Sequence, residues 1–259
     1  MQFIANGPEI PDALLQAHEE GRVVFFCGAG ISYPAGLPDF KGLVEQIYRR
    51  IGTVFTERER YAFDREQYDA TLDLLERRLP GPRRAVRRAL AQVLKTGLGH
   101  KDAYDTHAAL LRLARSPEDS LRLVTTNFDR MFHAAAKHTK QKLHAYTAPM
   151  LPIPKNSRWN GLVYLHGRLP EEPDDTALNQ LVVTSGDFGL AYLTERWAAR
   201  FVSELFRNYV VCFVGYSIND PVLRYMMDAL AADRMLGEVT PQAWALGDCE
   251  PGQEHRKTI

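Results

Sequence analysis

The sequence predicts an α/β protein with a doubly wound, Rossmann-like parallel sheet. Five or six short apolar runs alternate with segments of helical spacing, and strands joined by helices pair in parallel. The run from Val23 to Cys27 has no polar interruption, which is typical of a strand buried on both faces. It stops at Gly28-Ala29-Gly30, and a helical pattern follows Asp39, which indicates a strand, a tight turn and a helix.

The other elements continue this alternation. The spacing predicts a loop at 147–161 and one long helix at 185–207. Further strands are expected at 121–125, 162–165, 181–184, 209–214 and 243–246, with a short run at 143–146 as an additional candidate. Further helices are expected at 11–20, 39–51, 105–115, from Asp129 to about 137, and from Asp220 to 232.

The length of 259 residues fits one large α/β domain that carries an insert. We assign residues 1–246 to this domain. Residues 53–101, rich in Arg and Glu and interrupted at Pro80-Gly81-Pro82, are predicted to form an inserted helical lobe of two or three helices. The polar residues 247–259 are interpreted as a linker or a truncated end that leads to a further region of a longer protein.

Charge and cysteine content narrow the classes of function. Lys plus Arg number 32, as do Asp plus Glu, so no overall field attracts nucleic acid or anionic lipid. No signal peptide and no membrane-spanning run is recognised, which favours the cytoplasm. The three cysteines are far apart, so neither a disulfide framework nor a zinc motif is expected. Cys27 and Cys212 lie in apolar runs and are interpreted as buried, inert thiols.

One run of the predicted lobe is strongly basic. Residues 77–88 contain six arginines and no acid. A solvated helix face is the favoured interpretation, and a nucleic-acid or partner surface stays open. The run has no aromatic residue for base stacking, so nucleic acid is not expected to bind this domain.

Polar or small residues follow four of the predicted strands. They are Gly28-Ala29-Gly30-Ile31-Ser32, Thr126-Asn127-Phe128-Asp129, His166-Gly167 and Gly215-Tyr216-Ser217. Parallel sheets bind ligands outside the carboxyl ends of their strands, and glycines there would let phosphates approach the backbone. The third glycine of the dinucleotide fingerprint is replaced by Tyr33.

Each segment also has a structural explanation. Asn127 suits a helix N-cap, His166 a hydrogen-bonded turn and Gly215 a simple bend. His107, at the start of a predicted helix, is interpreted as a structural or capping histidine.

Together the four segments resemble the sirtuins, in order, from Arg22 to about Arg224. The glycine turn with Gly36-Leu37-Pro38-Asp39-Phe40 is similar to the sirtuin opening motif. The other three are similar to the Gln-Asn-x-Asp segment, the catalytic His-Gly pair and the Gly-Thr-Ser turn. Thr126 replaces the sirtuin Gln, and three cysteines cannot form the four-cysteine zinc lobe of the deacylases. In both respects the chain resembles the sirtuin-like effector domains of bacterial anti-phage systems, which hydrolyse NAD.

This resemblance implies NAD as substrate, no metal, and a sensor domain or partner protein elsewhere in the system. It implies Asn127 and His166 as catalytic residues, with Asn127 on a ribose hydroxyl or the attacking water. His166, expected to titrate near neutral pH, would be the general base. We also expect a homo-oligomer, of a state that the sequence does not specify. The residues implied to contact NAD are Gly28, Ala29, Gly30, Ser32, Asp39, Phe40, Asp129, Gly215 and Ser217.

Three functions stay open on the sequence alone. The favoured one is NAD hydrolysis to nicotinamide and ADP-ribose in abortive infection. The alternatives are a catalytically silent sensor or scaffold that binds NAD or ADP-ribose, and an NAD-dependent protein-lysine deacylase.

Overall fold

The computed structural model describes residues 1–5, 7–95, 102–155, 159–172, 174–216 and 241–246, with the single residues Met226, Ala231 and Met235. The predicted helix from Asp220 to 232 therefore lies almost wholly outside the described residues, as do Ser217, Cys249 and the segment 247–259.

Six strands form one parallel sheet. They are β1 (Val23–Cys27), β2 (Arg122–Thr125), β3 (Ala145–Thr147), β4 (Gly161–Tyr164), β5 (Val210–Val214) and β6 (Trp244–Leu246). Their order is β3-β4-β2-β1-β5-β6, and every neighbouring pair is parallel. The chain thus adds β2 on one side of β1 and later adds β5 on its other side. The prediction of a doubly wound, Rossmann-like sheet is confirmed.

Helices cover both faces of the sheet because successive side chains of a strand point to opposite sides. Phe26 and Phe213 pack on one face, whereas Phe25 and Cys212 pack on the other. The helices are α1 (Asp12–Glu19), a 3-10 helix (Ala29–Ala35), α2 (Phe40–Ile51), α3 (Glu57–Asp64), α4 (Tyr68–Arg78), α5 (Pro82–Leu94), α6 (Asp105–Leu113), α7 (Met131–His138), α8 (Asp175–Asn179), α9 (Ser185–Phe188), a π-helix (Gly189–Thr194) and α10 (Trp197–Asn208).

Burial also determines the protonation state of the Cys27 and Cys212 thiols. Cys27 and Cys212 are unpaired and buried on the same face of the sheet. Burial raises the pKa of the Cys212 thiol to about 12, and it raises that of Cys27 as well. Both thiols are therefore protonated at neutral pH, which agrees with the interpretation as inert core residues.

Between α2 and α6, the described residues form three helices, α3, α4 and α5. They enclose an apolar cluster of their own that includes α2, with Ile47, Leu72 and Leu90 fully buried. Leu181 and Val183 from the far part of the chain also join this cluster. The helices therefore pack against the segment that follows β4.

The arginine run of this segment is largely paired with carboxylates, so it is not an open basic face. Arg77 pairs with Asp73, Arg78 with Glu59, Arg83 with Glu76, and Arg84 and Arg88 with Asp175. Arg87 is 0% exposed and contacts Glu76, Asp187 and the carbonyl oxygen of Leu181. The favoured interpretation as a solvated face is wrong for Arg87.

Two predicted elements differ from the structure. Residues 181–184 do not form a strand, because the Asp187 carboxylate accepts the backbone N–H groups of Val183 and Thr184 that a strand would use for pairing. The predicted long helix at 185–207 is divided into α9, the π-helix and α10. Arg196 interrupts it with a left-handed conformation, φ 60°.

Candidate functional site

A mostly apolar cavity lies at the carboxyl edge of the sheet, where β1, β2 and β4 end. The space between its walls, with the open solvent at its mouth included, is about 600 Å³. This is the place where parallel sheets bind ligands. Its lining residues are Ala29, Ser32, Leu37, Pro38, Asp39, Phe40, Leu43, Leu94, Thr126, Asn127, Phe128, Asp129, His166, Val182 and Phe188.

The glycine turn after β1 packs against the turn after β5, backbone on backbone. The N–H of Gly28 donates to Val214 O and that of Gly30 to Gly215 O, both at 2.9 Å. A Cβ on Gly28 or Gly30 would lie 2.8 Å from Gly215 O. We expect from the sequence that these glycines leave room for phosphates. That expectation is wrong at the positions that a Cβ of Gly28 or Gly30 would take, because the neighbouring turn already fills them. The glycines are needed because a neighbouring turn fills that room.

A buried cluster of four polar side chains lies behind this turn. Asn127 Nδ2 donates to Gly28 O at 3.1 Å and to Ser32 Oγ at 3.2 Å. Ser32 Oγ donates to Asp129 Oδ2 at 2.9 Å and also lies 3.3 Å from His107 Nε2. Asn127 is thus fixed by the neighbouring strand end and does not cap a helix, since its side chain bonds the β1 turn.

Asp129 is committed to contacts within the protein. Its Oδ1 accepts the backbone N–H of Met131 at 2.9 Å, at the start of α7, while Oδ2 accepts from Ser32. The residue is 5% exposed, and burial raises the pKa of its carboxyl. Because both oxygens are engaged, Asp129 is better suited to hold the cluster together than to contact a ribose directly.

His166 follows β4 and is almost completely enclosed. Its Nε2 lies 2.9 Å from the hydroxyl of Tyr192, and the ring of Phe188 packs edge-on at 5.1 Å. Burial lowers the pKa of His166 to about 3. The expectation that this histidine titrates near neutral pH is therefore wrong, because a buried imidazolium would lose its hydration. The ring is neutral at physiological pH.

The mouth of the cavity is formed by less buried residues. Asp39 is exposed and caps α2, its Oδ1 accepting the Gly42 N–H at 2.7 Å. Phe40 is half-buried beside it. Thr126 also lines the cavity, and its Oγ1 lies 2.6 Å from the hydroxyl of Tyr216, which also packs over the Gly28 turn.

Most of the implied site residues meet at this cavity. Ala29, Ser32, Asp39, Phe40, Asn127, Asp129 and His166 line it. Gly28, Gly30 and Gly215 lie in the two packed turns beside it, and Ser217 lies outside the described residues. Their roles toward NAD stay predictions.

Sequence reasoning missed His107 and Tyr192. The sequence favours a structural or capping role for His107, but its position in the first turn of a helix also indicates where in the fold it lies. A helix that leads into a parallel strand runs antiparallel to it, so its first turn lies at the carboxyl edge. Tyr192 offers no such signal, because it lies inside the predicted long helix at 185–207, which the structure divides.

Within the described part of the chain, no group of three or more His, Cys, Asp and Glu side chains is arranged to hold a metal ion. No helix in the same residues has the length and apolar character that crossing a membrane would require.

Fold and cleft define a Rossmann-like α/β domain with a cavity at the carboxyl edge of its sheet, where parallel sheets bind ligands. Residues 121–259, just over half of the chain, match the family model of the SIR2-like domain. The chain belongs to the SIR2-like domain family. SIR2-like domains use NAD, so membership of this family indicates an NAD-related activity.

A bacterial relative resembles the chain over most of its length. The uncharacterized protein y4cA of Sinorhizobium fredii (strain NBRC 101917 / NGR234) is 37% identical over 235 residues, which cover 88% of this chain and 19% of that protein. The chain therefore spans about a fifth of that relative's length. The family model begins after the glycine turn. Two residues inside the matched range, Asn127 and Gly215, nevertheless hydrogen-bond to that turn, so the turn is in contact with the matched part of the chain.

Proposed function

We propose that this domain hydrolyses NAD to nicotinamide and ADP-ribose, as the effector part of an anti-phage system. The observation that carries the proposal is that Asn127 and His166, from two neighbouring strand ends, line one cavity with the β1 turn. This cavity belongs to a SIR2-like domain, a family that uses NAD.

The chemistry fits such a cavity. Cleavage of the bond between C1′ of the ribose and the nicotinamide nitrogen releases a neutral ring, so no acid is needed for the leaving group. Positive charge develops on the ribose, and a water molecule attacks C1′ and gives up one proton. A cavity that excludes bulk water and offers a few polar atoms favours this reaction.

Each polar group has a role in this proposal. Asn127 Oδ1 accepts a hydrogen bond from the attacking water or a ribose hydroxyl. His166 is the base, acting through Nδ1, the ring nitrogen that Tyr192 does not hold. The apolar walls, including Phe40, Leu43 and Phe188, suit the flat nicotinamide ring. The N–H of Ala29 is the group of the glycine turn best placed for a phosphate, because those of Gly28 and Gly30 are engaged.

The anti-phage assignment has separate support. Three cysteines in this chain cannot supply a four-cysteine zinc lobe, and Thr126 replaces the glutamine of the deacylases. Both features resemble NAD-hydrolysing effector domains. The matched relative is much longer than this chain, which accords with a domain that acts beside other regions.

A silent NAD-binding module is the second candidate. Its support is the enclosure of His166, which is 1% exposed and bonded to Tyr192. In that case NAD or ADP-ribose would bind without turnover.

The experiment is incubation of the purified domain with NAD and no acyl peptide, followed by chromatography of nicotinamide and ADP-ribose. We expect equal amounts of both products, and a rate about 10²-fold lower for His166→Ala. Asn127→Ala is expected to lose turnover and to retain part of its NAD binding. Binding without products, in the domain and in the full-length protein with its activator, would favour the silent module. A requirement for an acyl-lysine peptide would favour the deacylase.

A further inference from the structure

His107 lies next to the proposed catalytic cluster but outside the cavity lining. It stands in the first turn of α6 and is 0% exposed, with its ring edge-on to Phe132 at a centroid distance of 4.8 Å. Its Nε2 is 3.3 Å from Ser32 Oγ, and Nδ1 has no hydrogen-bond partner among the described residues. Its only recorded polar contact within the described chain is therefore with Ser32.

Two acceptors, the Gly28 carbonyl oxygen and the Asp129 carboxylate, set the direction of every hydrogen bond in the cluster. Gly28 O can only accept, so the Asn127 atom beside it is Nδ2 and not Oδ1. The second Nδ2 proton points to Ser32 Oγ. Ser32 therefore accepts from Asn127 and gives its own proton to Asp129 Oδ2.

This assignment leaves Ser32 Oγ with one lone pair, and it faces His107. His107 must therefore be neutral with its proton on Nε2, donating to Ser32. The other tautomer would place an N–H at Nδ1, where no described residue accepts it. An unpaired buried donor is costly, whereas an unpaired ring lone pair is tolerated more easily.

We propose that His107 is a positioning residue of the NAD-cleaving site, which holds Asn127 through Ser32 without touching the substrate. The Nε2–H of His107 fixes Ser32 Oγ, and Ser32 with Gly28 fixes both Nδ2 protons of Asn127. The only atom that Asn127 then presents to the cavity is Oδ1, an acceptor. The kinetic part of this proposal rests on the proposed function, but the hydrogen-bond geometry does not.

The geometry is tested in the ligand-free protein by NMR with ¹⁵N-labelled histidine and asparagine. The His107 signals are expected to report a proton on Nε2 and a bare Nδ1. The Asn127 side-chain amide protons are expected to exchange slowly with solvent, since both are hydrogen-bonded. A proton on Nδ1 of His107, or fast exchange at Asn127, would overturn the proposal whether or not the domain cleaves NAD.

Two matched variants test the function of the contact. His107→Gln places an amide N–H where Nε2 was, whereas His107→Asn places it near the position of Nδ1, out of reach of Ser32. For His107→Asn we expect kcat to fall about 10-fold with KM within about twofold, because orientation of Asn127 matters most in the transition state. For His107→Gln we expect kcat within about threefold of the parent.

A double-mutant cycle separates positioning from a general packing role. In the Ser32→Ala background, where the link from His107 to Asn127 is already broken, His107→Asn is expected to change the single-turnover rate by less than about twofold. An additive loss in this background, or equal losses for Gln and Asn at residue 107, would show that His107 serves packing only. Failure of the parent protein to cleave NAD would overturn the proposed function instead and leave the NMR result to decide the contact.

Discussion

The hydroxyl of Tyr192, on the π-helix, lies 2.9 Å from Nε2 of His166, and Phe188, the last residue of α9, packs against the same ring. One nitrogen of the histidine is thereby held inside the protein, and the other is left for the cavity. A hydrogen bond of this kind fixes the orientation and the tautomer of an imidazole. The π-helix is therefore part of the site rather than an irregular connection, in line with the frequent location of such turns at functional sites.

The first prediction concerns Tyr192→Phe. Loss of the hydroxyl frees the His166 ring to rotate, and we expect the rate of NAD cleavage to fall roughly 10-fold with little change in KM. Tyr146→Phe on β3, a half-buried tyrosine outside the cavity lining, is the matched control and is expected to keep the parent rate. A rate for Tyr192→Phe equal to that of the control would remove Tyr192 from the mechanism.

The second prediction is the pH dependence of the reaction. A general base works when it is deprotonated, that is, above its pKa, and burial lowers the pKa of His166 to about 3. We therefore expect kcat/KM to stay level from about pH 8 down to about pH 5, where an unperturbed histidine with a pKa of about 6.5 would already be protonated. The measurement is initial rates of nicotinamide release across this range, with unfolding followed by circular dichroism. A decline with an apparent pKa near that of free histidine would contradict the enclosed ring.

The strands were predictable because a parallel sheet imposes one simple pattern. Val23 to Cys27 and the run before Gly215 are apolar at every position, since both faces of these strands are buried. The alternation with helices then leaves few possible topologies. The four polar strand ends could be assigned to one edge for the same reason.

What the sequence could not reveal depends on contacts between distant residues. Val182 and Val183 are buried like strand residues, but they are buried in a cavity wall and in the α2–α5 cluster. Nothing near them in sequence indicates that the Asp187 carboxylate accepts the backbone N–H groups of Val183 and Thr184. Nor does it indicate that Asp187 is itself held by Arg87, 100 residues earlier in the chain. The Arg77–Arg88 run also looks solvated when its sequence is considered alone. The reason is that most of the carboxylates that pair with it lie in other segments.

The third prediction concerns this buried pair. Arg87→Met leaves the Glu76 and Asp187 carboxylates without their buried cation, and removal of one partner of a buried ion pair costs about 3–5 kcal/mol. We expect a loss of that order in the free energy of unfolding by urea. NAD binding should weaken as well, because Val182 and Phe188 line the cavity on either side of Asp187.

The control for this variant is Arg84→Met, which removes an exposed pair with Asp175 from the same helix face. Exposed pairs contribute little, so its unfolding midpoint and NAD binding are expected to match those of the parent. Equal stability of the two variants would mean that the Arg87 contacts do not hold the cavity wall.

The last prediction concerns Gly215, where the turns after β1 and β5 meet. Gly215 has φ +71°, and a Cβ there would lie 2.5 Å from the backbone nitrogen of Ile31. Gly52 has nearly the same φ, +72°, but open space around it, and Gly189 in the π-helix has both open space and a helical φ of −56°. Alanine variants of these three glycines therefore distinguish the effect of backbone strain from the effect of a steric collision. For Gly52→Ala we expect a loss of about 1–2 kcal/mol from the left-handed conformation alone. Gly189→Ala is expected to be neutral or slightly stabilising.

Gly215→Ala is expected to lose clearly more stability than Gly52→Ala, because the Ile31 backbone must move away as well. That movement also shifts Gly28 O, the acceptor that orients Asn127, so NAD cleavage should fall in any Gly215→Ala protein that still folds. The measurements are urea unfolding of all three variants and the cleavage rate of those that are folded. A Gly215→Ala protein as stable as Gly52→Ala and fully active would mean that the close contact of the two turns is not required. The glycines of the β1 turn would then regain a role toward the ligand itself.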